Sequence, residues 1–114
     1  KKARFVESAV QTLGLVHVAV LSLRAEEWLA ANPVDIVTAR AVAPLARAVP
    51  WFAPAVKRGA RVLLYKGPDA DTEIAAAAPE LRKRRLRATV LLRYALPDQM
   101  GERTIVELAP ASAR

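Results

Sequence analysis

The chain has 114 residues, 54% of them hydrophobic, which is enough for one small folded domain and too apolar for a disordered segment. Its 18 Lys and Arg against 11 Asp and Glu leave a net charge of +7, which favours polyanions: nucleic acid or an anionic membrane surface. The lack of cysteine and the single histidine, His17, exclude disulfides, Cys-ligated zinc and a His-rich metal centre, and no apolar run reaches the ~18 residues of a membrane span. An Arg- and Ala-rich codon usage would produce the same charge. Two Trp, two Tyr and two Phe leave the core to Val, Leu and Ala. The sequence opens on Lys1-Lys2 without an initiator Met, which reads as a fragment of a longer protein.

Ala3–Leu13 has the spacing of a helix, with Phe5, Val6, Ala9, Val10 and Leu13 on one face and Gly14 as its stop. His17–Leu23 is a continuous apolar run suited to a strand buried on both faces. Ser22 is placed to cap a second helix, with Glu26 and Glu27 in its first turn, Trp28 and Leu29 as anchors, and Asn32-Pro33 as its end. Val34–Thr38 is the next strand. Ala43–Val56 has helical character, but Pro50 and Pro54 predict two short or kinked pieces ending at Lys57-Arg58-Gly59. Arg61–Tyr65 is a third strand. Asp69, Asp71 and Glu73 open another helix, which Pro79 interrupts or restarts. Arg87–Tyr94 and Thr104–Leu108 alternate as two closing strands joined through Pro97–Gly101.

This order predicts an α/β fold: a mostly parallel sheet with right-handed crossovers, ending in an antiparallel hairpin. Ligands of such sheets bind beyond the carboxyl ends of the strands. Arg24, Arg40 and Lys66 would each sit at such an end and build one cationic rim. Arg82-Lys83-Arg84-Arg85, with Arg87 and Arg93, is a second cationic stretch without an acid. It reads either as a phosphate contact or as a solvated face. His17, at the start of an apolar segment, reads as structural.

The pattern is similar to that of class I S-adenosylmethionine-dependent methyltransferases, a Rossmann-like fold that ends in an antiparallel hairpin. Five stretches resemble one family, the bacterial 16S ribosomal RNA guanine-N7 methyltransferases, also called glucose-inhibited division protein B. They are Lys1-Lys2-x-x-Phe5-Val6, Arg24-Ala25-Glu26-Glu27, Ala39-Arg40-Ala41, Lys66-Gly67 and Gly101-Glu102-Arg103. Their order and spacing fit that family over essentially the whole chain. The resemblance implies one partial methyltransferase domain over residues 1–114, corresponding to the C-terminal portion. The family's Gly-rich cofactor loop and the acidic residue ending its second strand lie upstream of the matching segment. Glycines 14, 59, 67 and 101 form no such loop. In the family's strand order, two upstream strands separate the His17–Leu23 strand from the next one.

The resemblance also implies the chemistry. S-adenosylmethionine would donate a methyl group to N7 of a guanine in 16S ribosomal RNA, free or in the small ribosomal subunit. The protein would act in the cytoplasm as a monomer, with neither metal nor membrane. Ala25 and Glu26 would border the adenine ring, and Arg40 would touch cofactor or substrate. Lys66, Gly67 and Arg103 would face the RNA. Each has a plainer alternative. Glu26 and Glu27 also suit a helix N-terminus. Arg40 could be a surface arginine on its aliphatic stem, Lys66 a strand-end lysine, and Arg103 part of a hairpin ion pair. The rival function is a non-catalytic basic α/β module that binds RNA or a ribosomal surface.

Overall fold

The computed structural model describes residues 2–40 and 43–111. In chain order the elements are α1 (Lys2–Leu13), α2 (Ala25–Ala31), β1 (Ile36–Arg40), α3 (Leu45–Lys57), β2 (Arg61–Lys66), α4 (Ala70–Ala76), α5 (Ala78–Lys83), β3 (Leu86–Ala95) and β4 (Glu102–Pro110). Lys1 and Ala41, which belong to two of the family-like stretches, lie outside the described residues.

The four strands form one sheet in the order β1-β2-β4-β3. β1 and β2 are parallel, from Ile36 opposite Arg61 to Arg40 opposite Tyr65. β4 runs antiparallel to both β2 and β3, so three strands point one way and β4 alone points back. The closing hairpin is therefore antiparallel as expected, and its second strand slots between β2 and β3. Strand alternation sends Val62 and Leu64 of β2, and Val106 and Leu108 of β4, toward the helices. There Val62, Leu64 and Leu108 meet Leu45, Val49, Phe52 and Val56 of α3 in one Val/Leu/Ala-rich core. The opposite face is largely bare, with Ile36 60%, Tyr65 41% and Leu92 52% exposed.

α1 ends as its glycine predicts. Gly14 takes φ +68°, and its N–H and that of Leu15 donate back to Gln11 and Val10 carbonyls. The apolar stripe of α1 is not docked on the core, since Phe5 is 77% and Leu13 70% exposed.

Three expectations are corrected. His17–Leu23 is not a strand but an irregular stretch without a ladder, with Val18, Leu21 and Leu23 about half exposed or more. A strand exists only by pairing, and among the described residues β1 pairs with β2 alone. The two strands that the family order places between this segment and β1 are not among these residues, so the apolar run has no partner. The open edge of β1 is also a template for unwanted association. Second, Ser22 does not cap α2. The N-cap position is Arg24, with no side-chain capping bond. Third, α3 is one helix across Pro50 and Pro54 rather than two pieces. Leu45, Ala48, Val49, Phe52, Ala53, Ala55 and Val56 are all buried on it, and that burial outweighs the lost backbone bonds.

A test of this balance is Pro50→Ala, which restores an N–H donor to a helix interior. The expected result is stabilisation by ~1–2 kcal/mol, after the unfolded-state entropy that proline removes is set against its helix penalty. A thermal melt should rise by roughly 5–10 °C. An unchanged or lower midpoint would show that the Pro50 ring itself fills core space.

Candidate functional site

The carboxyl ends of β1, β2 and β3 meet the start of β4 at one end of the sheet. Arg40, Tyr65, Tyr94 and Arg103 line a cavity of about 510 Å³ there, together with Lys66, Gly67 and Leu96. Of the predicted residues, this cavity gathers Arg40, Lys66, Gly67 and Arg103. Arg40 is exposed at the last position of β1, and among the described residues no ion pair or side-chain hydrogen bond holds it.

Arg103 stands opposite Tyr94 in the β3–β4 ladder. Its Nη1 donates to the Glu102 carbonyl at 2.8 Å. Gly101, just before it, has φ +104°, and a Cβ there would lie 3.2 Å from that same nitrogen. Glycine at 101 thus answers to both the backbone and the guanidinium. The turn that leads in is left-handed at Asp98 and Gln99 and is closed by the Leu96 N–H donating to the Gly101 carbonyl at 2.8 Å.

Lys66 lines the cavity wall, but its ammonium points into the helix layer, with the side chain only 11% exposed. Nζ donates to the Ala43 carbonyl at 3.0 Å and pairs with Glu73 Oε1 at 3.2 Å. The same Glu73 oxygen accepts the Leu45 N–H at 3.0 Å. Pro44, at the N-cap of α3, has no capping side chain, so a carboxylate from α4 does that work. Lys66 and Glu73 together fasten Ala43 and Leu45, on either side of Pro44 at the start of α3. Gly67 does not have a left-handed backbone, and a Cβ there would meet nothing within 4 Å. Its carbonyl accepts from the buried Thr104 hydroxyl at 3.1 Å. The roles of Glu73 and Thr104 escaped sequence reasoning because each joins residues from separate elements; Glu73 reads locally only as a first-turn acid.

Ala25 and Glu26 sit elsewhere. They border a second cavity of about 570 Å³ along the open edge of β1, walled by Leu21, Leu23, Ile36 and Thr38 and backed by Trp28 and Trp51. The Glu26 carboxylate lies 3.5 Å from the Arg24 guanidinium. β1 divides the two cavities: Thr38 and Ala39 face the second, and Arg40 the first. The expected rim of Arg24, Arg40 and Lys66 is thereby corrected. Arg24 follows no strand and lines neither cavity, and Lys66 is turned inward and paired. The cation beside Arg40 is instead the half-buried Arg103.

The Arg82–Arg87 cluster lies at the opposite end of the sheet, where β3 begins. Arg84 is paired with Glu80, and Arg93 with Asp71 at 2.7 Å. Arg82, Lys83, Arg85 and Arg87 are exposed there. His17 is exposed and lines neither cavity. Among the described residues no helix is long and apolar enough to cross a membrane.

Ala25 and Glu26 fit the nucleoside end of the implied cofactor by their chemistry: a small residue at 25 that admits a flat ring, and a carboxylate able to accept from an exocyclic amine. The methionine end finds no cradle among the described residues.

Residues 1–99 match the family model described as rRNA small subunit methyltransferase G. A protein of that name from Solibacter usitatus is 61% identical over 108 residues, 95% of this chain and 51% of that relative. One from Streptomyces avermitilis is 42% identical over 84 residues, 73% of this chain and 35% of the relative. One from Carboxydothermus hydrogenoformans is 31% identical over 110 residues, 93% of this chain and 47% of the relative. The chain thus spans about half or less of the length of these relatives.

Proposed function

Since this chain belongs to the rRNA small subunit methyltransferase G family, we propose that it serves S-adenosylmethionine-dependent transfer of a methyl group to N7 of a guanine in 16S ribosomal RNA. Its α/β sheet is of the class I methyltransferase type. The observation that carries the reading is the cationic, aromatic cavity at the carboxyl ends of β1, β2 and β3, lined by Arg40, Arg103, Tyr65 and Tyr94. When bound, S-adenosylmethionine supplies an electrophilic methyl on a sulfonium.

Guanine N7 has its own lone pair, so the protein needs no general base, and the site offers no nucleophile–base pair. What the residues do is position. Ala25 and Glu26 border the adenine, Glu26 accepting from its amino group. Arg40 and Arg103 hold the RNA, a guanidinium being suited to a phosphate. Lys66 keeps the β1–α3 connection in place so that the Arg40 end of β1 is held. Gly67 leaves the cavity floor open to the RNA. The target guanine must leave its stack to reach such a site. We place the activity in the cytoplasm, on RNA or the small ribosomal subunit, in a single subunit. A non-catalytic basic module is the weaker reading, because the matched relatives are named as methyltransferases.

The test is a chimera in which these residues replace the matching half of the Solibacter usitatus relative. The expected product is N7-methylguanine in small-subunit RNA, and a stable chimera that leaves the RNA unmodified would overturn the proposal. The 114-residue chain by itself is expected to bind S-adenosylmethionine weakly or not at all, because only the nucleoside end finds partners. A calorimetric dissociation constant in the low micromolar range would contradict this.

A further inference from the structure

Tyr65 and Tyr94 belong to no family-like stretch quoted above, yet both line the cationic cavity. Tyr65 is opposite Ile105, and Tyr94 is opposite Arg103. Ile105 and Arg103 are two apart on β4 and so share a face. The two tyrosines therefore stand on the same bare face of the sheet, one on each side of β4, with Arg103 beside them. Strands ~4.8 Å apart and a rise of ~3.3 Å per residue put their Cα atoms about 12 Å apart.

Tyr94 is there because of a bulge. Up to Val90, opposite Val106, the even-numbered residues of β3 face the helices. The register then shifts between Val90 and Leu92, so that Leu92 meets Ile105, Arg93 meets Thr104 and Tyr94 meets Arg103. Without the shift, Arg93 would stand on the cavity face and Tyr94 would turn to the helices. With it, Arg93 reaches Asp71 of α4 at 2.7 Å and Tyr94 enters the cavity. Bulges beside sites commonly re-aim a side chain in this way.

We propose that Tyr65 and Tyr94 are positioning residues for a purine base: their rings receive the flat heterocycle while Arg103 and Arg40 take the phosphate. The inference rests on the reading that a guanine enters this cavity. An unstacked base loses its neighbours, and aromatic side chains replace them without regard to sequence. Two aromatic rings and two guanidiniums around one cavity match a nucleotide's two chemical halves.

The experiment is titration of the 114-residue chain with guanosine 5′-monophosphate and, separately, ribose 5-phosphate. Tyr94→Leu and Tyr65→Leu should each weaken the nucleotide by roughly five- to a hundred-fold, the range for one stacked base. They should change ribose 5-phosphate less than about twofold, and Tyr94→Phe should bind like the parent. Arg103→Gln should weaken both ligands, and Lys57→Gln, exposed at the end of α3 and outside both cavities, neither. The proposal is overturned if the parent chain shows no saturable nucleotide binding, if the leucine variants weaken both ligands alike or neither, or if Lys57→Gln abolishes the nucleotide signal. The chimera separates this from the reading beneath it. A methylating chimera indifferent to both tyrosines sinks the inference alone. A silent chimera whose nucleotide binding still needs the tyrosines sinks only the methyl-transfer reading.

Discussion

In the chimera, Arg40→Ala is expected to lower single-turnover methyl transfer by roughly ten- to a hundred-fold, and Arg84→Ala by no more than about threefold. The two arginines differ in what they face. Arg40 is at the carboxyl end of β1, on the wall of a cavity it shares with Arg103 and both tyrosines. Arg84 is paired with Glu80 at the far end of the sheet, among other exposed cations. Loss of a charge-assisted contact that orients a reacting group costs about 1.5–3 kcal/mol. Loss of one phosphate contact among several mainly weakens RNA binding and reduces its salt slope by about one unit. Running the assay at two salt concentrations separates these outcomes. If both variants lose equally and both recover at low salt, Arg40 is another long-range electrostatic contact and does not belong to the site.

The second large effect is on stability. Glu73→Ala in the 114-residue chain is expected to cost about 2 kcal/mol, read as a fall of roughly 10 °C in the thermal midpoint. One Glu73 oxygen holds both the Leu45 N–H at the start of α3 and the Lys66 ammonium. Its removal leaves a nearly buried cation with only the Ala43 carbonyl and leaves the N-terminus of α3 uncapped. Glu73→Gln retains an acceptor for Leu45 and loses the charge, so it should fall between parent and alanine. Lys66→Met combined with Glu73→Ala should cost less than the sum of the two, with a coupling of at least ~0.5 kcal/mol. A midpoint shift under about 2 °C for Glu73→Ala would put the pair with ordinary surface ion pairs, which contribute little.

What the amino-acid order determined by itself is local. Apolar spacing and Gly14 set α1 and its end, and acids set the start of α4. Pro79 set the restart at α5, where it lies in the first turn. Alternation and the Pro97–Gly101 turn set the hairpin. Arg40, at the carboxyl end of its strand, was legible as a cavity residue because a strand end is a local event, whereas Arg103 was placed there only by the family resemblance.

The tertiary structure decided everything that depends on a partner distant in sequence. Leu45 reaches Glu73, and Thr104 reaches Gly67, across 28 and 37 residues. His17–Leu23 has strand composition and no strand to pair with, so it stays unladdered. Pro50 and Pro54 forbid local hydrogen bonds, yet burial against β2 and β4 keeps α3 whole. Lys66 has the sequence of a strand-end phosphate contact, and Glu73 draws it inward. The register shift after Val90 turns Tyr94 toward the cavity and Arg93 away from it. Periodicity within β3 alone predicts the reverse, because a strand's face is assigned by its neighbour's ladder and not by its own alternation.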